Sequence, residues 1–204
     1  TGVVNIITLN KGRQVSGGIG RYSSYHGSAL YSFTDSAREI DFSLNVAASD
    51  ADGADVISGP DQLYGMGMGD ISNAPGPVNE VRDVSNAIIG FSFKSLHFTG
   101  YFLNEGQGDY YGFLGSLPPP HSSTAFRFKN YGGQIKQEFN ITGDFLFEYN
   151  IGFFQHRFSS GLTFQQPPGF AAIYTDGMAA APFYQEDRPD AGFDFTYAGC
   201  EKHT

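Results

Sequence analysis

The chain has 204 residues; 40% are hydrophobic and 16% aromatic, Trp is absent, and only 16% are charged, against roughly 25% in typical globular domains. A net charge of −9 with no Lys/Arg cluster argues against a nucleic-acid partner, because neutralising phosphates requires clustered cations. No apolar run reaches the ~18 residues of a membrane helix, which excludes helical spanning but leaves open a β-barrel, whose lipid-facing and lumen-facing residues alternate.

The chain opens on Gly2 to Lys11 (GVVNIITLNK), an apolar β-prone run interrupted by Asn5 and closed by Lys11-Gly12. Taken by itself, such a run describes any buried strand of a sandwich core. Residues 14–21 and 25–33 are short, glycine-rich and aromatic, and are expected to be strands. In the second, Tyr25, Gly27, Ala29, Tyr31 and Phe33 share one face, with Leu30 out of phase on the other. Residues 34–37 form a polar turn. Residues 39–48 then alternate most cleanly, Ile40, Phe42, Leu44 and Val46 against Asp41, Ser43 and Asn45, so one face is apolar and the other polar.

Residues 49–85 have neither period and read as a loop, far beyond the ~12–15 residues usual within a compact domain. Residues 86–94 and 96–104 alternate again and form a tight hairpin across Lys94-Ser95, a turn without the Gly or Asn usual there. Residues 105–123, with Tyr110-Tyr111 and Pro118-Pro119-Pro120, make a second long loop. Residues 124–139 suit a long strand with a bulge or kink at Gly132-Gly133. After a turn over 140–143, residues 144–157 place Phe145, Phe147, Tyr149, Ile151 and Phe153 on one face. Residues 158–189 are a third long loop, and 191–198 open an eighth strand. Short turns and long loops therefore alternate from the second connection on, which in an up-and-down meander makes one end all turns and the other mostly long loops, the connection near Ser23-Ser24 being the short member on the loop side. Bacterial outer-membrane barrels have this asymmetry, with short periplasmic turns and long extracellular loops; a Greek-key sandwich has no reason for it.

The opening run resembles the strand that ends the plug of TonB-dependent outer-membrane receptors, roughly Gly-Val/Ala-Ile/Val-Asn-Ile-Ile/Val-Thr-Lys, which the first barrel strand follows directly. The family's Lys falls here at Leu9, with Lys11 two places on. The resemblance covers Gly2 to Lys11 in motif and the rest only in pattern. It implies that residues 1–12 end a plug and that 13–204 begin the barrel, an all-β antiparallel up-and-down transmembrane segment of seven or eight strands with long extracellular loops. It further implies a bacterial outer-membrane location, contact with lipid, and uptake of a scarce solute such as an iron chelate, cobalamin or a sugar, driven by the inner-membrane TonB complex. Family barrels have about 22 strands, so the chain is expected to be a fragment or processed piece; no signal peptide precedes Thr1. Two other readings fit the residues: a passive eight-stranded barrel, and a secreted β-sheet module binding carbohydrate.

No catalytic motif is present, and the five His residues are scattered, so no enzyme, cofactor or metal is expected. Asp50-Ala51-Asp52-Gly53-Ala54-Asp55 superficially resembles a calcium loop, but Asp55 stands where an EF-hand needs Gly and Asp61 where it needs Glu. The lone Cys200 has no partner for an internal disulfide. Because binding chemistry concentrates on long loops carried by rigid scaffolds, the expected solute contacts are Tyr64, Tyr110, Tyr111 and the acids Asp50, Asp52 and Asp55.

Overall fold

A computed structural model describes residues 12–112, 114–197 and 199; the plug-like run 1–11, Ala198 and Cys200 lie outside the described residues. Eight long strands form one antiparallel sheet: β1 (Arg13–Ile19), β2 (Tyr25–Asp35), β3 (Ile40–Ala51), β4 (Arg82–Phe93), β5 (Leu96–Gln107), β6 (Phe126–Thr142), β7 (Phe145–Ser160) and β10 (Phe183–Tyr197). Each pairs with its neighbour in chain order, in the sequence β1-β2-β3-β4-β5-β6-β7-β10. A small hairpin of β8 (Thr163–Gln166) and β9 (Met178–Ala180) interrupts the last connection. The chain is therefore all-β and an up-and-down meander, with β1 and β10 at the two edges of an open sheet. The short connections 36–39, 94–95 and 143–144 lie at one end, while 52–81, 108–125 and 161–182 lie at the other together with the short 20–24.

Register converts the alternation within each strand into two chemically distinct faces. One row runs Phe33, Phe42, Phe91, Phe98, Ile135, Ile151, Ala191, each directly opposite the next. The adjacent row, one residue along, runs Thr34, Asp41, Ser92, His97, Lys136, Asn150, Gly192. Successive residues of a strand point to opposite faces, so the first row belongs to an apolar face and the second to a polar one. Ile40, Phe42, Leu44 and Val46 share that apolar face with Val15, Tyr31, Ile89, Phe102, Tyr131, Phe153 and Phe195. On the polar face Lys136 Nζ bridges Glu148 at 2.7 Å and Glu138 at 3.3 Å.

Each strand of the sheet makes its main contacts with its neighbours in it, and on the apolar face Val15, Phe33, Phe91, Ile135 and Ile151 are exposed. Ile151 is 59% exposed and Phe195 also 59%, although both stand in the interior of their strands. The buried apolar side chains, Leu63, Ala74, Val81, Leu117, Ala125 and Phe126, all belong to the long connections or to the strand end that meets them.

Several expected boundaries are corrected. Strand β3 continues through Ser49 and Asp50 to Ala51, and β4 begins at Arg82, so the first long loop spans 52–81 rather than 49–85. It carries a short helix, α1 (Gln62–Gly65), and a 3-10 turn over Gly69–Ile71. Strand β5 runs to Gln107 and β7 to Ser160, while β10 starts at Phe183, eight residues before Ala191. Pro189 lies inside β10 opposite Phe153, a position available because β10 is an edge strand. No bulge occurs at Gly132-Gly133; pairing is continuous there, and the irregularity of β6 falls between Asn140 and Thr142.

The glycine at 132 serves packing instead. It lies opposite Tyr101 on one side and Phe154 on the other, and those rings stack at 6.1 Å with planes 27° apart. A Cβ at Gly132 would come within 2.6 Å of both the Phe153 carbonyl oxygen and Phe154 Cδ1. Gly132→Val is expected to lower stability by about 1–3 kcal/mol through overpacking, measured as the urea midpoint. Gly143→Ala, whose Cβ meets nothing within 4 Å, should leave the midpoint unchanged.

Candidate functional site: the loop cap and the polar face

The three long connections are tied into one cap. In the first, the chain doubles back on itself: Ser58 N donates to Gly76 O at 2.8 Å and Val78 N to Val56 O at 2.8 Å. It joins the second through Gln62 N to Gly115 O at 3.2 Å, and Asn73 Nδ2 to Leu117 O at 2.9 Å. The third closes on the second through Gly161 N to Ala125 O at 3.2 Å.

Asp61 is the hub. It is the N-cap of α1, the position where a short acidic or hydroxyl side chain satisfies the free amides of a helix start. Its carboxylate accepts from Leu63 N at 3.0 Å, Tyr64 N at 3.4 Å, Ser72 Oγ at 2.8 Å and Leu117 N at 2.9 Å. Burial works to raise its pKa, but the bonds from Leu117, Ser72, Tyr64 and Leu63 together outweigh it and hold the carboxyl below its ordinary value. A second buried group is Asp109, only 3% exposed. It lies 2.9 Å from His121 Nε2 and accepts from Asn79 Nδ2 at 3.1 Å, so the first and second connections meet there too.

The expected contact residues separate in this arrangement. Asp50 is not a loop residue: it stands in β3, half-buried, opposite Tyr25 and Asp83. Asp52 and Asp55 are exposed at the base of the first connection. Among the described residues no group of three or more His, Cys, Asp or Glu side chains is placed to hold a metal ion. Tyr64 rides on α1 with its ring against Gly69, and stays 43% exposed. Tyr110 and Tyr111 are exposed on the second connection, where Tyr110 N donates to Asn79 O at 3.3 Å. The three tyrosines thus lie on two loops that Asp61 binds together.

Two clefts involve residues that sequence reasoning did not single out. One, of about 440 Å³, opens where all three connections meet, between Gln62 and Met66 of the first, Leu114 and Ser116 of the second, and Gln166 and Phe170 of the third. The other, of about 300 Å³, lies on the polar face toward the loop end, lined by Tyr101, Asn130, Phe154, His156, Glu186 and Arg188. There the Arg188 guanidinium sits 5.1 Å over the Phe154 ring, and Tyr184 Oη donates to Glu186 at 3.0 Å. Asn130 and His156 were assigned to no face by the sequence; the cross-strand register brings them opposite one another. Compared with protein-family models, curated proteins and solved structures, the chain finds no match.

Because Asp61 is depressed when folded, it stabilises the cap above the ordinary carboxylate range, and that contribution is lost as pH falls through its lowered folded value. An NMR titration of the Asp61 carboxyl should therefore give a midpoint below the ordinary aspartate value. Asp61→Ala, which leaves the buried Leu117 amide without its acceptor, should cost about 1–3 kcal/mol and open residues 52–81 to limited proteolysis at neutral pH.

Proposed function

We propose that the chain is part of the membrane-spanning barrel of an outer-membrane receptor of the TonB-dependent type, with the cap facing outward and the polar face lining the lumen. The observation that carries this reading is the bare apolar face. Monomeric soluble proteins rarely expose contiguous apolar patches larger than a few hundred Å², yet here every strand of an eight-stranded sheet contributes to one. A soluble module would need a second layer over Phe42, Phe91 and Phe98, and none is present among the described residues. Hydrocarbon requires no such layer. Along β7 the apolar side chains run from Phe145 to Phe153, a stretch that matches the roughly 9–11 residues with which a tilted strand crosses a membrane.

Open edges do not persist in hydrocarbon, where every backbone N–H and C=O must be paired. Strands β1 and β10 do not pair with each other, so this reading adds further strands at both edges, which favours a larger receptor over a passive barrel of eight. The receptor type itself rests on the resemblance of Gly2 to Lys11. From it follow active uptake rather than catalysis, the TonB complex as partner, and a small solute captured by the cap. We place solute contact at the junction of the three connections, with Tyr64, Tyr110 and Tyr111 around it and Asp52 and Asp55 at its base.

The membrane assignment is tested at adjacent residues of β3. Leu44→Arg puts a charge on the apolar face, where it costs ~2–4 kcal/mol near a bilayer midplane, and should sharply reduce insertion into the outer membrane. Asn45→Arg, on the polar face, should insert normally. Equal tolerance at the two positions would remove the assignment. Transport is tested by uptake of ferric chelates, cobalamin and oligosaccharides in cells with and without TonB, and uptake of each compound unchanged by removing TonB would contradict the receptor type.

A further inference from the structure

At the loop end of the apolar face the side chains turn polar, and two cations stand out. Lys129 of β6 and Arg157 of β7 are directly opposite each other and both exposed. Like charges in that position repel, and neither takes part in an ion pair among the described residues. The cation beside them is already engaged: Arg127 holds Asp83 through two bonds of 2.9 and 3.0 Å. Flanking positions on the same face are neutral, Asn104 opposite Lys129 and Gln185 opposite Arg157. The nearest carboxylate along β10, Asp187, is held by the Gln155 and Gln185 amides instead. The Arg157 guanidinium lies 5.0 Å over the Phe183 ring, which fixes its position without neutralising it. In a chain of net charge −9, an unneutralised cationic pair is a specific feature.

Directly toward the turn end, the same two strands carry an apolar groove of about 420 Å³ whose walls include Phe98, Tyr131, Ile135, Ile151 and Phe153. Gly132, Gly133 and Gly152 line it without side chains, Gly133 standing opposite Gly100 across β5 and β6, so the groove is a shallow depression open to its surroundings. Tyr131 is two residues from Lys129, about 7 Å along the strand, and the lysine stem can lean over apolar surface while its ammonium stays at the interface. A phosphate above and a hydrocarbon chain below match this spacing.

We propose that Lys129 and Arg157 bind the phosphate of an anionic membrane lipid whose acyl chain lies in the Gly100/Gly133 groove. The inference rests on the membrane reading above. Arginine offers the phosphate a two-pronged donor set and lysine a point charge, and the bridging anion relieves the repulsion that the bare pair carries. The lipid would occupy the leaflet on the cap side.

Native mass spectrometry of the full-length receptor, which supplies the strands beyond β1 and β10, in a neutral detergent provides the test. Dioleoyl phosphatidic acid should stay bound in preference to dioleoyl phosphatidylcholine, and K129Q/R157Q should weaken it roughly thirtyfold, from about one interfacial charge contribution per cation. Lys94→Gln, which removes a charge at the turn end, should leave retention unchanged. Equal retention by the double variant, equal retention of phosphatidylcholine, or binding of dibutyryl phosphatidic acid or inorganic phosphate as tight as that of the long-chain lipid would overturn the proposal. Insertion into pure phosphatidylcholine vesicles separates the two readings. Failure of the full-length receptor to enter them would remove the membrane assignment, whereas entry without preference for the anionic lipid would remove the lipid site alone.

Discussion

Everything in this structure depends on an unbroken cross-strand register. Alternation within one strand makes that strand two-sided; only when eight strands pair without a slip do the sides become continuous faces, because a shift of one residue would send a whole strand's apolar set to the wrong side. The row from Phe33 through Phe42, Phe91, Phe98, Ile135 and Ile151 to Ala191 shows how completely the pairs agree. Two-residue turns at Lys94-Ser95 and at 143–144 leave little slack for slippage. The one irregularity, between Asn140 and Thr142, lies at the turn end, beyond most of the apolar rows. Aromatic contacts such as Phe147 on Phe195, with centroids 4.8 Å apart, reinforce the pairing from the side.

The cap solves a different problem. Long connections carry many backbone groups outside any ladder, and those that become buried must find partners. Asp61 accepts from three backbone amides and the Ser72 hydroxyl at once, and Asn79 serves the Ser123 carbonyl and the Val81 amide. The side chains buried in the cap pack where the sheet itself buries almost nothing, so the molecule's small core lies outside its largest element. This division separates a rigid sheet, two-sided in its chemistry, from an ordered polar surface with a cleft at its centre.

How much of this could be read from the residues depended on whether the signal was local. Strand identity, pairing order and the sidedness of turns and loops were legible, because alternation such as Ile40-Asp41-Phe42-Ser43-Leu44 needs no distant partner to interpret. Strand ends toward the cap were not: Asp50, Asp83, Glu105 and Arg127 are polar on both sides of the boundary, so the period fades while the ladder continues. Pro189 was left at the end of the third loop, because its pairing opposite Phe153 is a property of the sheet rather than of the residue. Gly132 looked like a bulge, because the rings it accommodates come from β5 and β7. Within the cap, Tyr64, Tyr110 and Tyr111 were named correctly as loop residues. Asp61 was noticed only as a misfit to a calcium loop, since its partner Leu117 lies 56 residues away. Gln62, Met66, Leu114 and Phe170 form a cleft for the same nonlocal reason and carry no pattern that would select them.

The central claim is that the face bearing Phe42, Phe91 and Ile151 meets hydrocarbon while the face bearing Asp41, Ser92 and Lys136 meets water. Because the chain contains no Trp, single Trp substitutions placed in it, within the full-length receptor freed of Trp elsewhere, give unambiguous reporters in lipid bilayers containing brominated acyl chains. Phe91→Trp and Phe102→Trp should be strongly quenched with blue-shifted emission, and Asn45→Trp and Thr99→Trp, on the opposite face of the same sheet, should escape quenching. Equal quenching at all four positions, or none at any, would contradict the account.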